Sequence, residues 1–264
     1  MPDLIINDQT YKVTGILFDK DGTLLDFIAM WGCWSESVFH SFGEQLRSRG
    51  LAFDQEVIPS LWGSSHDEAG HIVDYDRNGP LAMGSMHDLY AVLAWQGYLA
   101  GLSWAEAMEL VQHARKHADQ ELARLRPARP LPGTLHFLQS CKENGMKLGV
   151  VTADDTEAAI MHLEWLGIKH YFDVIIGTDQ VEQGKPFPDM MELACRLLGL
   201  ACSDTAIIGD TNGDMRMGQA AGAAVTIGIA DAAREGNATA WFPSADEVIE
   251  GYGQLSIRRH AHER

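Results

Sequence analysis

The chain is predicted to be an α/β protein: a Rossmann-like, doubly wound parallel sheet as its core, with an all-helical domain inserted after the first strand. Three observations predict it. Five short runs rich in Val and Ile are bounded by polar residues or glycine, and the last four alternate with helical patterns. More than a hundred residues without a comparable strand separate the first run from the second.

The runs are GILFD (15–19), KLGVVT (147–152), DVIIGT (173–178), TAIIGD (205–210) and AAVTIG (223–228). Each is apolar throughout rather than alternating, as a strand covered on both faces must be. Helical patterns at 157–166, 188–198 and roughly 215–221 lie between the last four, and 133–144 precedes the second strand. Each closes on or near a glycine suited to a helix C-terminus. In the long interval, SWAE (103–106) offers Ser103 as an N-cap with Glu106 three residues on. Ala107, Val111, Ala114, Ala118, Leu122 and Leu125 then recur at spacings of three and four, which predicts one amphipathic helix of a bundle. PARPLPG (127–133) reads as a stiff connector back to the sheet. The predicted domains are therefore a sheet domain over 1–26 and 130–264 and a helical insert over 27–129, with SIRRHAHER (256–264) as a frayed end.

With 264 residues and 46% hydrophobic composition the chain can bury a full core. A formal charge of −17 and a pI near 4.9 oppose binding to nucleic acid or an anionic membrane. An anionic substrate would need a local positive patch, which a metal ion could supply. Cys33, Cys141, Cys195 and Cys202 form no CxxC pair, so free thiols in a reducing compartment are expected. No window approaches the length of a membrane span, and MPDLIINDQT lacks a basic region followed by an apolar one, so a cytoplasmic location is expected.

Chemistry-bearing residues follow the strands. FDKDGTLLD (18–26) runs an apolar strand into two carboxylates, Asp19 and Asp21, separated by a single lysine. Thr152 ends the second strand, Lys185 lies some seven residues beyond the third, and Asp210 and Asp214 follow the fourth. In an open parallel sheet these ends share one edge, where ligands bind. Each residue alone has an ordinary explanation in a turn, a cap or a solvated surface; together they put four carboxylates, a hydroxyl and an ammonium in one place. Mutual repulsion of the carboxylates is relieved if they share a hard cation such as Mg²⁺. Other motif readings fail on spacing. DTNGDMRMGQAA has Met215 where a calcium loop needs glycine and Ala221 where it needs glutamate, and Pro186 follows Gly184-Lys185 where a phosphate loop needs Ser or Thr.

DKDGTLLD, the VVT strand end, GKPFPD and GDTNGD, in this order, resemble the four signature motifs of the haloacid dehalogenase-like (HAD) hydrolase superfamily. The resemblance covers the sheet domain, and the insert falls where the family places a helical cap of the first class (C1 type). Within the superfamily the chain is similar to phosphoglycolate phosphatase-like enzymes. The resemblance implies an Mg²⁺-dependent phosphatase acting on a small phosphorylated metabolite, with 2-phosphoglycolate the first substrate to try. By that resemblance Asp19 is the nucleophile that becomes an aspartyl phosphate. Asp19, the backbone carbonyl of Asp21, and Asp210 hold the metal, and Asp21 is the acid and base. Thr152 and Lys185 bind the phosphoryl group, joined by the backbone N–H groups of Gly22 and Ala153. Asp214 orients metal-bound water or Lys185 from behind. Asp21 disfavours dehalogenase and P-type ATPase chemistry, whose relatives lack aspartate there. Ala153 stands where many relatives have Asn, so one side-chain contact to phosphate is not carried over.

The insert holds Trp31, Trp34, Trp62, Trp95 and Trp104 and six histidines. The tryptophans are expected to pack its small core. In the functional alternative the cap closes over the crevice and presents substrate-binding groups, with Trp31, Trp34 and His40 the nearest in sequence. His113 and His117 share a helical face without the glutamate of a zinc motif and are expected to be solvated. Two other functions stay open: a phosphomutase of the β-phosphoglucomutase type, which returns the phosphoryl group to substrate, and a non-catalytic phosphate or metal sensor. A monomer and a homodimer are both compatible with the sequence.

Overall fold

The computed structural model describes residues 2–53, 57–230 and 237–258. In chain order the elements are β1 (Asp3–Ile6), β2 (Gln9–Lys12), β3 (Gly15–Phe18), α1 (Cys33–Ser48), α2 (Ile58–Trp62), β4 (Ser64–His66), β5 (Ile72–Tyr75), α3 (Pro80–Met83), α4 (Met86–Leu99) and α5 (Trp104–Leu125). They continue with α6 (Thr134–Glu143), β6 (Lys147–Val151), α7 (Thr156–Trp165), β7 (Val174–Ile176), α8 (Asp189–Leu198), β8 (Thr205–Gly209), α9 (Asn212–Ala221), β9 (Val225–Ile229), α10 (Ala238–Trp241), β10 (Glu247–Ile249) and β11 (Leu255–Arg258). The chain divides into two compact units, Met1–Asp26 with Pro130–Arg264, and Phe27–Arg129.

In the first unit a six-stranded sheet has the order β10-β9-β8-β3-β6-β7, and every pairing is parallel. Alternate residues of its strands serve opposite faces, which is why the runs are apolar without a break. Ile16, Phe18, Leu148, Val150, Ala206 and Ile208 pack with Phe137, Leu138 and Cys141 of α6 and Leu163 of α7. Leu17, Val151 and Ile207 pack with Met190, Met191, Ala194 and Cys195 of α8 and Met217 of α9. Full burial of each such large aliphatic side chain contributes about 1.5–3 kcal/mol, so the covered sheet is the packed centre of the unit.

Two features of this unit depart from expectation. The sheet gains a sixth strand, β10, whose three residues EVI are too few to stand out as an apolar run. A separate antiparallel sheet of order β11-β1-β2 joins the first residues to the last described ones. Its hairpin turns on Asn7 and Asp8, both at positive φ, as a two-residue hairpin turn requires and as these residue types tolerate. The end of the chain is therefore not frayed as far as it is described: Ser256, Ile257 and Arg258 pair with β1, and 259–264 lie outside the described residues.

The second unit is mainly helical, with α1, α4 and α5 packed together. Ser103 and Glu106 cap α5 reciprocally: the Ser103 N–H and Oγ donate to Glu106 Oε2 (2.8 and 2.6 Å), and the Glu106 N–H donates to Ser103 Oγ (3.3 Å). Ala107, Val111, Ala114, Ala118 and Leu122 are buried as predicted, whereas Leu125, in the last turn, is exposed. Ser103→Ala is expected to lower the melting temperature by about 2–4 °C and Ser103→Asp to leave it unchanged. Calorimetry of the two variants checks this; equal losses would mean that the cap contributes nothing. The all-helical expectation fails at one place, where β4 and β5 form an antiparallel hairpin. Asp67 shapes its turn by accepting from the N–H groups of Ala69 and His71 (2.9 Å each). The strands SSH and IVDY are short and largely polar, so no apolar periodicity announces them. Among the described residues no helix is long and apolar enough to cross a membrane.

Candidate active site

The first strand of the parallel sheet lies between β8 and β6, so the residue that follows it is flanked by both their ends. The Asp19 N–H donates to the Ile208 carbonyl (2.8 Å), and the Thr152 N–H to that of Ile176 (3.0 Å). Both ladders thus run one residue past the strands and fix these side chains at the edge. Asp210 directly follows Gly209, the last residue of β8. From β3 the chain goes to β6 and β7 on one side and crosses to β8 on the other, which makes this edge the switch point of the sheet.

Lys185 is carried to this edge by the segment between β7 and α8. Its Nζ lies 2.5 Å from Asp19 Oδ1 and 2.6 Å from Asp214 Oδ1, with its side chain only 5% exposed. Asp214 is held from behind: Thr211, the N-cap of α9, donates to Asp214 Oδ2 from its Oγ1 (2.6 Å) and its N–H (3.2 Å). One carboxylate therefore caps a helix and orients the ammonium at once. Burial pushes the Asp19 carboxyl above its ordinary pKa; Lys185 opposes this, while Asp214 and Asp21 add to it. Burial works against the Lys185 charge too, but Asp19 and Asp214 outweigh it and hold the ammonium well above its usual value.

Gly209 is a position of close approach, because a Cβ there would overlap the Asp214 carboxyl. Gly209→Ala is expected to destabilise the protein by about 1–3 kcal/mol. Thermal or urea melting against the wild type checks it, and an unshifted transition would mean that Asp214 has room to move.

The turn after β3 is closed on itself. Gly22 adopts a positive φ of 76°, and its N–H donates to the Leu25 carbonyl (2.9 Å), within the FDKDGTLLD turn. The same turn holds a cluster that motif reading missed. Lys20 is fully buried, and its Nζ lies 2.7 Å from each Asp21 carboxylate oxygen, 3.3 Å from Asp154 Oδ2 and 3.1 Å from His162 Nδ1. His162 Nδ1 also lies 3.4 Å from Asp154 Oδ2, so the imidazole sits beside both the ammonium and that carboxylate. Burial opposes the Lys20 charge, but Asp21 and Asp154 hold its pKa up; burial and Lys20 together push that of His162 down. Burial likewise opposes the Asp154 charge, yet Lys20 and His162 keep its carboxyl below the usual value. The available signal was His162 on the buried face of α7, beside Ala159 and Leu163.

The remaining sequence-assigned residues divide. Ala153 is half-buried at the turn after β6, next to Thr152, whose Oγ1 accepts from the Asp154 N–H (3.2 Å). Trp34 is 1% exposed, its Nε1 donates to Asp119 Oδ1 (2.8 Å), and it stacks on Trp62. Trp31 is buried with its ring edge-on to Trp34. Both tryptophans thus pack in the interior of the helical unit, as the core-packing expectation has it. His40, His113 and His117 are exposed on their helices.

The donor set bears on a metal ion. Among the described residues no three His, Cys, Asp or Glu side chains gather as ligands. The sheet edge offers instead two buried carboxylates, Asp19 and Asp210, beside the Asp21 backbone. That fits Mg²⁺, which binds through one or two carboxylates and keeps positions for water and phosphate oxygens.

The chain is 33% identical over 119 residues to pyrophosphatase PpaX of Halalkalibacterium halodurans, which is 45% of this chain and 54% of that protein. It thus spans about half the length of that relative. Phosphoglycolate phosphatase of Yersinia pestis is 28% identical over 215 residues, 80% of this chain and 78% of that one. Among solved structures, a putative β-phosphoglucomutase from Thermotoga maritima superposes with a TM-score of 0.60 at 20% identity, covering 89% of this chain and 93% of that one; it supports the fold. The model of the haloacid dehalogenase-like hydrolase family matches residues 13–222, a span that takes in β3, Thr152, Lys185, Asp210 and Asp214, and the chain belongs to that family.

Proposed function

We propose that the protein is an Mg²⁺-dependent phosphatase that hydrolyses a small phosphomonoester through a phosphorylated Asp19. The observation that carries this reading is the buried contact of Lys185 with Asp19 beside the Asp210 strand end, an anion–cation pair at the switch point of a parallel sheet. Asp19 would attack phosphorus with its free oxygen as the ester P–O bond breaks. Asp21 would give its proton to the departing oxygen, and then take one from the water that attacks the aspartyl phosphate, so that phosphate leaves and Asp19 is restored. The Lys185 ammonium would neutralise equatorial phosphoryl oxygens, with Thr152 and the Ala153 N–H on the same group. Mg²⁺, held by Asp19, Asp210 and the Asp21 carbonyl, would supply Lewis-acid neutralisation of phosphoryl charge.

Alkyl esters such as 2-phosphoglycolate are the substrate class to try first, since a relative of matching length is a phosphoglycolate phosphatase. Four free cysteines support a reducing, cytoplasmic setting. The test is phosphate release, with Mg²⁺ and with EDTA, across phosphoglycolate, sugar phosphates, nucleoside monophosphates and pyrophosphate. Release that requires Mg²⁺ is the expected result. Interconversion of sugar phosphates without release would assign a mutase instead, and inertness of the folded, metal-loaded protein toward the whole panel would overturn the reading.

A further inference from the structure

We infer that Lys20 is a positioning residue for this chemistry: its buried ammonium, braced by Asp154 and His162, sets the direction in which the Asp21 carboxyl meets the leaving oxygen. The inference rests on the phosphatase reading, in which Asp21 is the acid and base.

Lysine is almost never fully buried, because its charge loses hydration and its long stem loses rotamer freedom. Lys20 is buried completely, inside a turn, with a carboxylate on either side of it in sequence. Its Nζ is equidistant from the two Asp21 oxygens, at 2.7 Å, so a single cation sets the direction in which that carboxyl points. The cation is in turn fixed by groups from elsewhere in the sheet unit. Asp154 lies in the turn after β6, where its Oδ1 accepts from the Asp155 N–H (2.9 Å), and His162 comes from α7 with its ring against Trp165. One ammonium thus meets side chains carried by three segments. A lysine that only neutralised charge could do so from the surface, with far less ordered around it.

Chemistry gives this bracing a use. Proton delivery to a leaving oxygen is directional, and a positioned acid is worth about 10²–10⁴-fold in rate. A shift of about 1 Å in such a group can cost about 10²-fold. An alkoxide leaving group needs that proton as the P–O bond breaks, whereas 4-nitrophenolate leaves without it.

The test compares kcat/KM, at saturating Mg²⁺, for the best alkyl ester of the panel and for 4-nitrophenyl phosphate. This parameter covers steps only through departure of the leaving group, so later hydrolysis of the intermediate does not enter. Lys20→Met is expected to lose about 10²-fold on the alkyl ester and only a few-fold on the nitrophenyl ester, in the same sense as Asp21→Asn. If Lys20→Met does not fold, Lys20→Met with Asp154→Asn removes both opposite charges together and carries the same comparison. Equal losses on the two esters, or none, would reduce Lys20 to a structural ion pair and overturn the inference. A wild type that releases phosphate from neither ester would overturn the phosphatase reading, and this inference with it.

Discussion

Asp19→Asn is expected to reduce phosphate release to background, a loss of at least about 10⁴-fold, with no loss of thermal stability. Both parts follow from the same surroundings. One Asp19 oxygen is held by Lys185, and in the proposed reaction the other would attack phosphorus. An amide of the same shape keeps the contact but cannot act as the nucleophile. Folding also burdens Asp19, since burial and two further carboxylates raise its pKa against the pull of Lys185. Removing a buried charge of that kind costs little stability when its partner keeps another, and Lys185 keeps Asp214 at 2.6 Å. Phosphate release and a melting curve on one preparation check the pair of outcomes. Retained turnover would remove Asp19 from the chemistry, and a collapsed melting curve would make its role structural.

Lys185→Met should be costly on both counts. Loss of the ammonium leaves Asp19 and Asp214 facing each other in a buried site, which is expected to destabilise the fold by about 3–5 kcal/mol. It also removes one of the positive groups that would meet phosphoryl charge in the transition state, for which about 10²–10³-fold in kcat is expected. Lys185→Arg is not a rescue, because a planar fork replaces a compact donor set between two carboxylates. Added Mg²⁺ should restore part of the stability of Lys185→Met, since a cation on Asp19 relieves the same repulsion. Urea melting with and without Mg²⁺ reads the stability arm. A variant as stable as the wild type would mean that the buried ion pairs contribute nothing.

The parts of the fold legible in the sequence are those in which local pattern and burial coincide. β3, β6, β8 and β9 are covered on both faces, so their residues are apolar without interruption and the strands announce themselves. The strands that escaped, β1, β2, β4, β5, β10 and β11, have three or four residues each, and their partners are chosen by register rather than by apolar content. The end of the chain illustrates this: Leu255–Arg258 is a strand because β1 is there to pair with it.

A similar division holds for the site. Asp19, Thr152 and Asp210 directly follow strands, and a parallel sheet brings such positions to one edge whatever else the chain does. Lys185 and Asp214 were read from their motifs, and the structure joins them at 2.6 Å. Lys20, Asp154 and His162 were not legible as a group. Their meeting depends on side chains from a turn, a second turn and a helix, and no spacing in one dimension encodes it. The tryptophans follow the expectation of core packing: Trp34 stacks on Trp62 and donates to Asp119.

The measurement closest to the chemistry is to look for phosphate on Asp19 itself. In the Asp21→Asn variant, 4-nitrophenyl phosphate can still phosphorylate the nucleophile, because its leaving group needs no acid, while loss of the base slows hydrolysis of the adduct. Acid quench in the presence of Mg²⁺, followed by peptide mass spectrometry, should find a hydroxylamine-labile phosphoryl group on the peptide that contains Asp19, and none when Asp19→Asn is added. Nitrophenol formed with no adduct on Asp19, or with an adduct on another residue, would contradict the assignment of Asp19 as the phosphoryl acceptor.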